Sequence, residues 1–281
     1  MATTPYLNGY TVKPLSVSSL GDVVFTDGTN NIIPNQQQCE AYGYSYNKTT
    51  GTCSAFTFNT NLGRNVINEN NFIQGSGNVT EVGTNNTYVM GEKNIVRGLS
   101  RNNIIIGNNN EISNGVNNTF VYGTLAQATA DNSIVLGGNA PGDILGERQS
   151  IQVLYGVQTA DGSTVDSYLN NVEDSYFTIP NNTICYFHAD TIAVRVAGSG
   201  EGAVGDFASW VERGVVVNAG ETLTVSRERD TIKTSGSVSN WRPVANVSGT
   251  NFRITVRGDA DQTVEWCSNI TFTQIKTGVS L

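Results

Sequence analysis

The chain has 281 residues, of which only 14% are charged, and its net charge is −8. Soluble domains usually carry about 25% charged residues; here 34 asparagines and 30 glycines take their place. So few cations exclude a surface built to neutralise nucleic-acid phosphates, no apolar run reaches membrane-spanning length, and the single histidine, His188, excludes a two-histidine metal site.

The first fifteen residues, MATTPYLNGYTVKPL, lack the basic and apolar stretches of a secretory signal, which predicts export-independent synthesis. Thr11–Val17 and Val23–Thr26 read as short strands, and Ile32–Ala41 as a polar connector around Pro34. Cys39 and Cys53 flank a loop rich in tyrosine and glycine. They read either as a loop-closing disulfide or as two buried thiols. Residues 1–62 carry no repeat and are too short for a rich core, so they read as an anchor or docking region.

Residues 63–148 hold the strongest signal. Five blocks end on glycine: NNFIQG at Gly75, NTYVMG at Gly91, NNIIIG at Gly107, NTFVYG at Gly123 and NSIVLG at Gly137. The glycines are spaced 16, 16, 16 and 14 residues apart, and weaker half-repeats close on Gly83, Gly98 and Gly115. Asn stands five residues before each block glycine, and a β-branched residue always stands two before it. A short β-prone run followed by Gly and Asn, the residues that best tolerate positive φ, predicts strand and turn in about eight residues. The expectation is a β-solenoid or β-roll.

The third position before each glycine holds Phe72, Tyr88, Ile104, Phe120 and Ile134. Neighbouring strand residues point to opposite faces, so one slender coil cannot bury both this row and the Val/Ile row beside it. These five residues are the candidate interface. Either a second copy of the chain covers them, or a flanking segment does. Residues 138–149, rich in Gly and containing Pro141, read as a hinge.

Residues 149–281 show period-two alternation, as in Ile192, Val194 and Val196 or Phe252, Ile254 and Val256, broken by turn signals such as Ser248-Gly249. That pattern predicts a β-sandwich or jelly-roll-like domain, with Trp210, Trp241 and Trp266 as large core members. The polar loops around 159–168, 198–206 and 228–240, with the tyrosines and tryptophans of this half, read as a shallow recognition surface.

Catalytic chemistry finds little support. There is no P-loop, no G-x-S-x-G and no H-E-x-x-H. His188 lies three residues from Cys185 and two from Asp190, and reads as a structural histidine. Glu173 and Asp174 read as solvated turn acids, and the glycine-rich run Gly198–Gly202 as a mobile loop with no helix to hold a phosphate. The expectation is a protein without enzymatic activity, cofactor or metal.

The octads in TYVMGEKNIVRG and TFVYG resemble the trimeric β-helices and β-rolls of bacteriophage spikes and fibres and of trimeric adhesin heads. The stretches WVERGVVVNAGETLTVSRERD and NWRPVANVSGTNFRITVRGDADQTVEWCSNITFTQI resemble the terminal β-domains of tailed-phage fibres. The resemblance implies a homotrimeric virion protein made in the bacterial cytoplasm. Residues 1–62 would attach to other virion proteins, and the C-terminal domain would meet a host surface glycan or protein receptor. A capsid decoration or head fibre protein is the alternative it leaves open.

Overall fold

The computed structural model describes residues 12–18, 21–48, 50–55 and 70–281. The chain falls into two compact units, Met1–Val66 and Ile67–Leu281. Residues 1–11, 19, 20, 49 and 56–62 of the expected anchor region, the start of the expected strand Thr11–Val17 among them, lie outside the described residues. No described helix is long and apolar enough to cross a membrane.

In the first unit, β1 (Lys13–Val17) pairs antiparallel with β2 (Val23–Thr26), which pairs with β3 (Asn31–Ile32). The expected connector contains a helix, α1 (Gln36–Ala41). Asn35 opens it with a reciprocal cap: its side chain accepts the Gln38 N–H, and the Gln38 side chain accepts the Asn35 N–H. Its polar composition hid it, because Cys39 is the one residue it buries. A hairpin comes next, β4 (Ser45–Asn47) and β5 (Thr52–Ser54). Cys39 and Cys53 are bonded, which decides between the two readings of that pair. Their sulfurs pack with Val23 and Phe25, and Phe25 meets Tyr42 and Tyr44 edge-on.

The second unit opens with the solenoid that the repeat predicts. Its strands are β6 (Phe72–Ser76), β7 (Val79–Thr80), β8 (Tyr88–Glu92), β9 (Ile95–Val96), β10 (Ile104–Asn108), β11 (Glu111–Ile112), β12 (Phe120–Thr124), β13 (Gln127–Ala128) and β14 (Ile134–Gly138). The even-numbered strands stack as one parallel sheet, and the odd-numbered ones from β7 to β13 as a second. The register is strict: Tyr88 lies on Ile104, Val89 on Ile105 and Gly91 on Gly107. Val89, Ile105, Val121 and Val135 from one sheet and Val96, Ile112 and Ala128 from the other fill the interior.

Two features hold the coils together. Four of the five block glycines, Gly75, Gly91, Gly107 and Gly123, sit within the strands at positive φ and at very close approach. A Cβ on Gly91 would lie 1.9 Å from the carbonyl oxygen of Gly107, so no side chain fits there. Beside them runs an internal asparagine ladder. Asn94 and Asn110 are buried, and each donates its amide to a glycine carbonyl of the next coil (2.7 Å to Gly107, 2.9 Å to Gly123). Each side-chain oxygen accepts backbone N–H from the coil beyond, as Ala126 N–H does to Asn110 at 2.8 Å. The outer asparagines Asn86, Asn102 and Asn118 take positive φ at the turns and bond to one another.

The remaining strands are β15 (Arg148–Thr159), β16 (Thr164–Leu169), β17 (Phe177–Thr178), β18 (Thr183–Ala197), β19 (Phe207–Ala219), β20 (Thr222–Thr234), β21 (Arg242–Ser248), β22 (Asn251–Arg257) and β23 (Thr263–Lys276). The solenoid does not end at a hinge. β14 pairs antiparallel with β15, Ile134 opposite Gln152, so one ten-strand path runs β20-β19-β18-β23-β15-β14-β12-β10-β8-β6. Residues 138–149 are tied to the last coil. Asn139 donates to the carbonyls of Thr124 and Leu125 and accepts from Arg148 N–H, and Arg148 pairs with Asp143 and Glu147.

A smaller sheet, with β22 between β21 on one side and β16 and β17 on the other, covers the inner face of the long strands. Phe252 of β22 meets Phe187 and Phe272 of the large sheet at 5.1 and 5.0 Å between ring centres. The three tryptophans are buried as expected, with Trp210 stacked on Trp266 and Trp241 inclined to it.

Candidate functional site

The strand pleat sends Val89, Ile105 and Val121 inward and their neighbours outward. Phe72, Tyr88, Ile104, Phe120 and Ile134 therefore form one in-register row on the outer face of the solenoid sheet. Tyr88 is 54% exposed and Ile134 44%, while Phe120 is half-buried. Among the described residues, no flanking segment covers the exposed members of this row.

Sequence reasoning missed a second row on the same face. The position before each glycine brings Gln74, Met90, Ile106, Tyr122 and Leu136 into register. Tyr122 is 54% exposed, and Met90 and Leu136 are exposed too. The signal was available, since this residue lies two beyond the first row and period two puts them side by side. Gln74 and the varied shapes of the rest obscured it.

No protein-family model matches the chain, and no curated protein sequence matches it. Three solved structures that it resembles are phage tailspikes. The tailspike of Acinetobacter baumannii phage AM24 shares 10% identity at a TM-score of 0.30, covering 75% of this chain and 50% of its own. That of another Acinetobacter phage shares 13% at a TM-score of 0.26, over 74% of this chain and 50% of its own. The tailspike of bacteriophage Fri1 shares 10% at 0.25, over 75% and 37%, and is described as a capsular polysaccharide depolymerase. The chain spans half the length of these proteins or less. Among the described residues, the chain is nearly all β and carries a β-solenoid. One expectation is corrected here. A neighbour described as a depolymerase is an enzyme, so the absence of familiar motifs does not license the conclusion that this chain is not one.

The remaining sequence candidates separate in space. His188 and Asp190 share the outer face of β18, where Nε2 and Oδ1 lie 3.0 Å apart. Cys185 points to the opposite face, buried, and burial pushes its thiol up to about 12. The three therefore form no common site. Cys267 is exposed on β23.

The glycine-rich run 198–202 is not a loose loop. Arg195 is buried beneath it and donates to the carbonyls of Ala197, Gly198, Gly200 and Glu201. The expected recognition loops are partly strand, since 164–169 is β16 and 222–234 is β20. The tryptophans assigned to that surface are interior. Of the accessible tyrosines, Tyr168 and Tyr186 stand on strands β16 and β18, and Tyr176 immediately precedes β17.

Proposed function

We propose that the chain is a bacteriophage virion protein of the fibre or spike type, assembled in the bacterial cytoplasm as a parallel homotrimer through the outer face of its solenoid. Residues 1–62 serve as the attachment region to other virion proteins. The strands after residue 148 are displayed for a host surface glycan or protein receptor. The observation that carries the assembly is the pair of apolar rows on β6, β8, β10, β12 and β14. Full burial of a large apolar side chain is worth about 1.5–3 kcal/mol. Half-exposed residues such as Tyr88, Tyr122 and Ile134 would each contribute about half of that on association, and nine of the ten positions in the two rows are apolar. A parallel arrangement lets identical rungs meet at identical heights.

Mass measurement in native buffer tests the reading. The expected particle is three times 30.1 kDa. A monomer at micromolar concentration overturns the assembly, and a stable dimer overturns its threefold form. The double change Tyr88→Asp and Phe120→Asp should yield a folded monomer. A full-sized oligomer from that variant would show that these rows are not the interface.

A further inference from the structure

We propose that the outward face of the small sheet carries a binding platform for a neutral saccharide, built from Tyr168, Tyr176, Arg253 and Asp166. The biological side of the proposal rests on the receptor-display reading above; the site itself rests on its geometry. On β16 and β22, Ser167 faces Ile254 across the ladder, and both are buried. Their neighbours Asp166, Tyr168 and Arg253 consequently point outward. Asn246 of β21 lies opposite Arg253 and extends the same face.

These groups hold one another in place. Arg253 Nη1 donates to Asp166 Oδ2 at 2.7 Å, and the Tyr176 hydroxyl donates to the same oxygen at 2.9 Å. The guanidinium lies 4.3 Å from the centre of the Tyr176 ring. The rings of Tyr176 and Tyr168 are 5.7 Å apart and inclined at 56°. What remains unused is the set a ligand needs. Among the described residues, Arg253 Nη2, Asp166 Oδ1 and the Tyr168 hydroxyl make no hydrogen bond. The Arg253 and Asp166 side chains are 27% and 21% exposed, so solvent reaches the pair from one side.

Two inclined aromatic faces beside one free donor and one free acceptor match a pyranose ring, which offers an apolar C–H face and a rim of hydroxyls. The guanidinium is already fixed by a carboxylate and a ring, so ordering it costs little on binding. Charge decides the class of sugar. Arg253 offsets Asp166, but Glu173 and Asp174 stand exposed in the adjoining turn. The Tyr168 hydroxyl is raised first by burial and next by these two carboxylates, which places them within reach of the site. Their uncompensated charge disfavours uronic and sialic acids.

The test is saturation-transfer NMR and titration on the full chain with cellohexaose, maltohexaose and chitohexaose, and with hexagalacturonate as the anionic counterpart. At least one neutral hexasaccharide should bind and hexagalacturonate should not. Tyr168→Ala should weaken binding about tenfold or more. The surface double change Glu173→Gln with Asp174→Asn should keep neutral binding and admit hexagalacturonate. Failure of all three neutral sugars to bind overturns the proposal, as does undiminished binding by Tyr168→Ala or tight hexagalacturonate binding to the unaltered chain. An intact trimer that binds no sugar removes this platform alone, whereas a monomer that binds sugar removes the assembly alone.

Discussion

Replacing Asn110 with alanine should cost the solenoid more than any substitution on its surface. The Asn110 side chain is 1% exposed. Its oxygen is the acceptor for Ala126 N–H at 2.8 Å, and its amide reaches Gly123 O at 2.9 Å and Asn94 Oδ1 at 3.1 Å. Alanine leaves the Ala126 N–H without its acceptor and the Gly123 carbonyl without this donor. Asn94 Oδ1 still accepts the backbone N–H of residue 110. Leaving a buried polar group unpaired costs about 1–3 kcal/mol, so two give about 2–6 kcal/mol. The control is Asn102→Gly. Asn102 sits exposed at φ 56°, where glycine removes left-handed strain of about 1–2 kcal/mol, offset in part by loss of the contact to Asn118. Urea unfolding of both variants, monitored by far-UV circular dichroism at one fixed protein concentration, measures the difference. A loss below about 1 kcal/mol for Asn110→Ala, the net worth of one ordinary hydrogen bond, would refute the idea that the ladder bonds are obligatory.

Arg195→Met should keep the long strands folded while residues 197–206 become susceptible to limited proteolysis, since four carbonyls lose one donor group; an unchanged digestion pattern would contradict the role given to Arg195. Burial holds the Glu212 carboxyl above its ordinary value of 4.5, against the lowering effect of the Ala245 N–H and the nearby arginines. With the folded value raised, its contribution is full below about 4.5 and is lost as pH rises through the folded value. Glu212→Gln should therefore gain stability relative to the unaltered chain between pH 4 and 7, read from urea midpoints. Cys39→Ser should destabilise the first unit by about 3 kcal/mol, the value for a loop of this length, and leave the hydrogen-exchange protection of residues 70–281 unchanged.

The solenoid was legible because stacking forces identical residues onto one another. A ladder of glycines where an added Cβ would fall about 2 Å from the next coil's carbonyl oxygen tolerates no variation, so the period is written plainly. The ends of the period-two argument were less secure. In β18 the alternation Ile192, Val194, Val196 is present, yet these residues face outward, and Ala189, Ala193 and Arg195 are the buried ones. Large rings from the opposing sheet and from β23 fill the interior there, leaving room for small side chains, and Arg195 satisfies itself on carbonyls. Hydropathy marks two faces without saying which one is covered. The platform residues were invisible for another reason. Asp166 and Arg253 come together through the pairing of β16 with β22, across 87 positions of sequence, and Tyr176 joins them from just before β17, which also pairs with β22.

The shared sheet has a mechanical consequence. In the solenoid the strands lie across the long axis, and the hydrogen bonds between coils run along it. Tension on that axis therefore loads the rungs in series: every interface carries the whole force, and the weakest sets the limit. Beyond β14 the chain reverses direction and long strands of 12 to 15 residues take over in β15, β18 and β23. A pull between the solenoid and this block must part the seam between β14 and β15, where four residue pairs meet against twelve in the pairing of β15 with β23. The narrow seam is the expected mechanical fuse, and the bonds of Asn139 and the ion pairs of Arg148 sit where they would reinforce it.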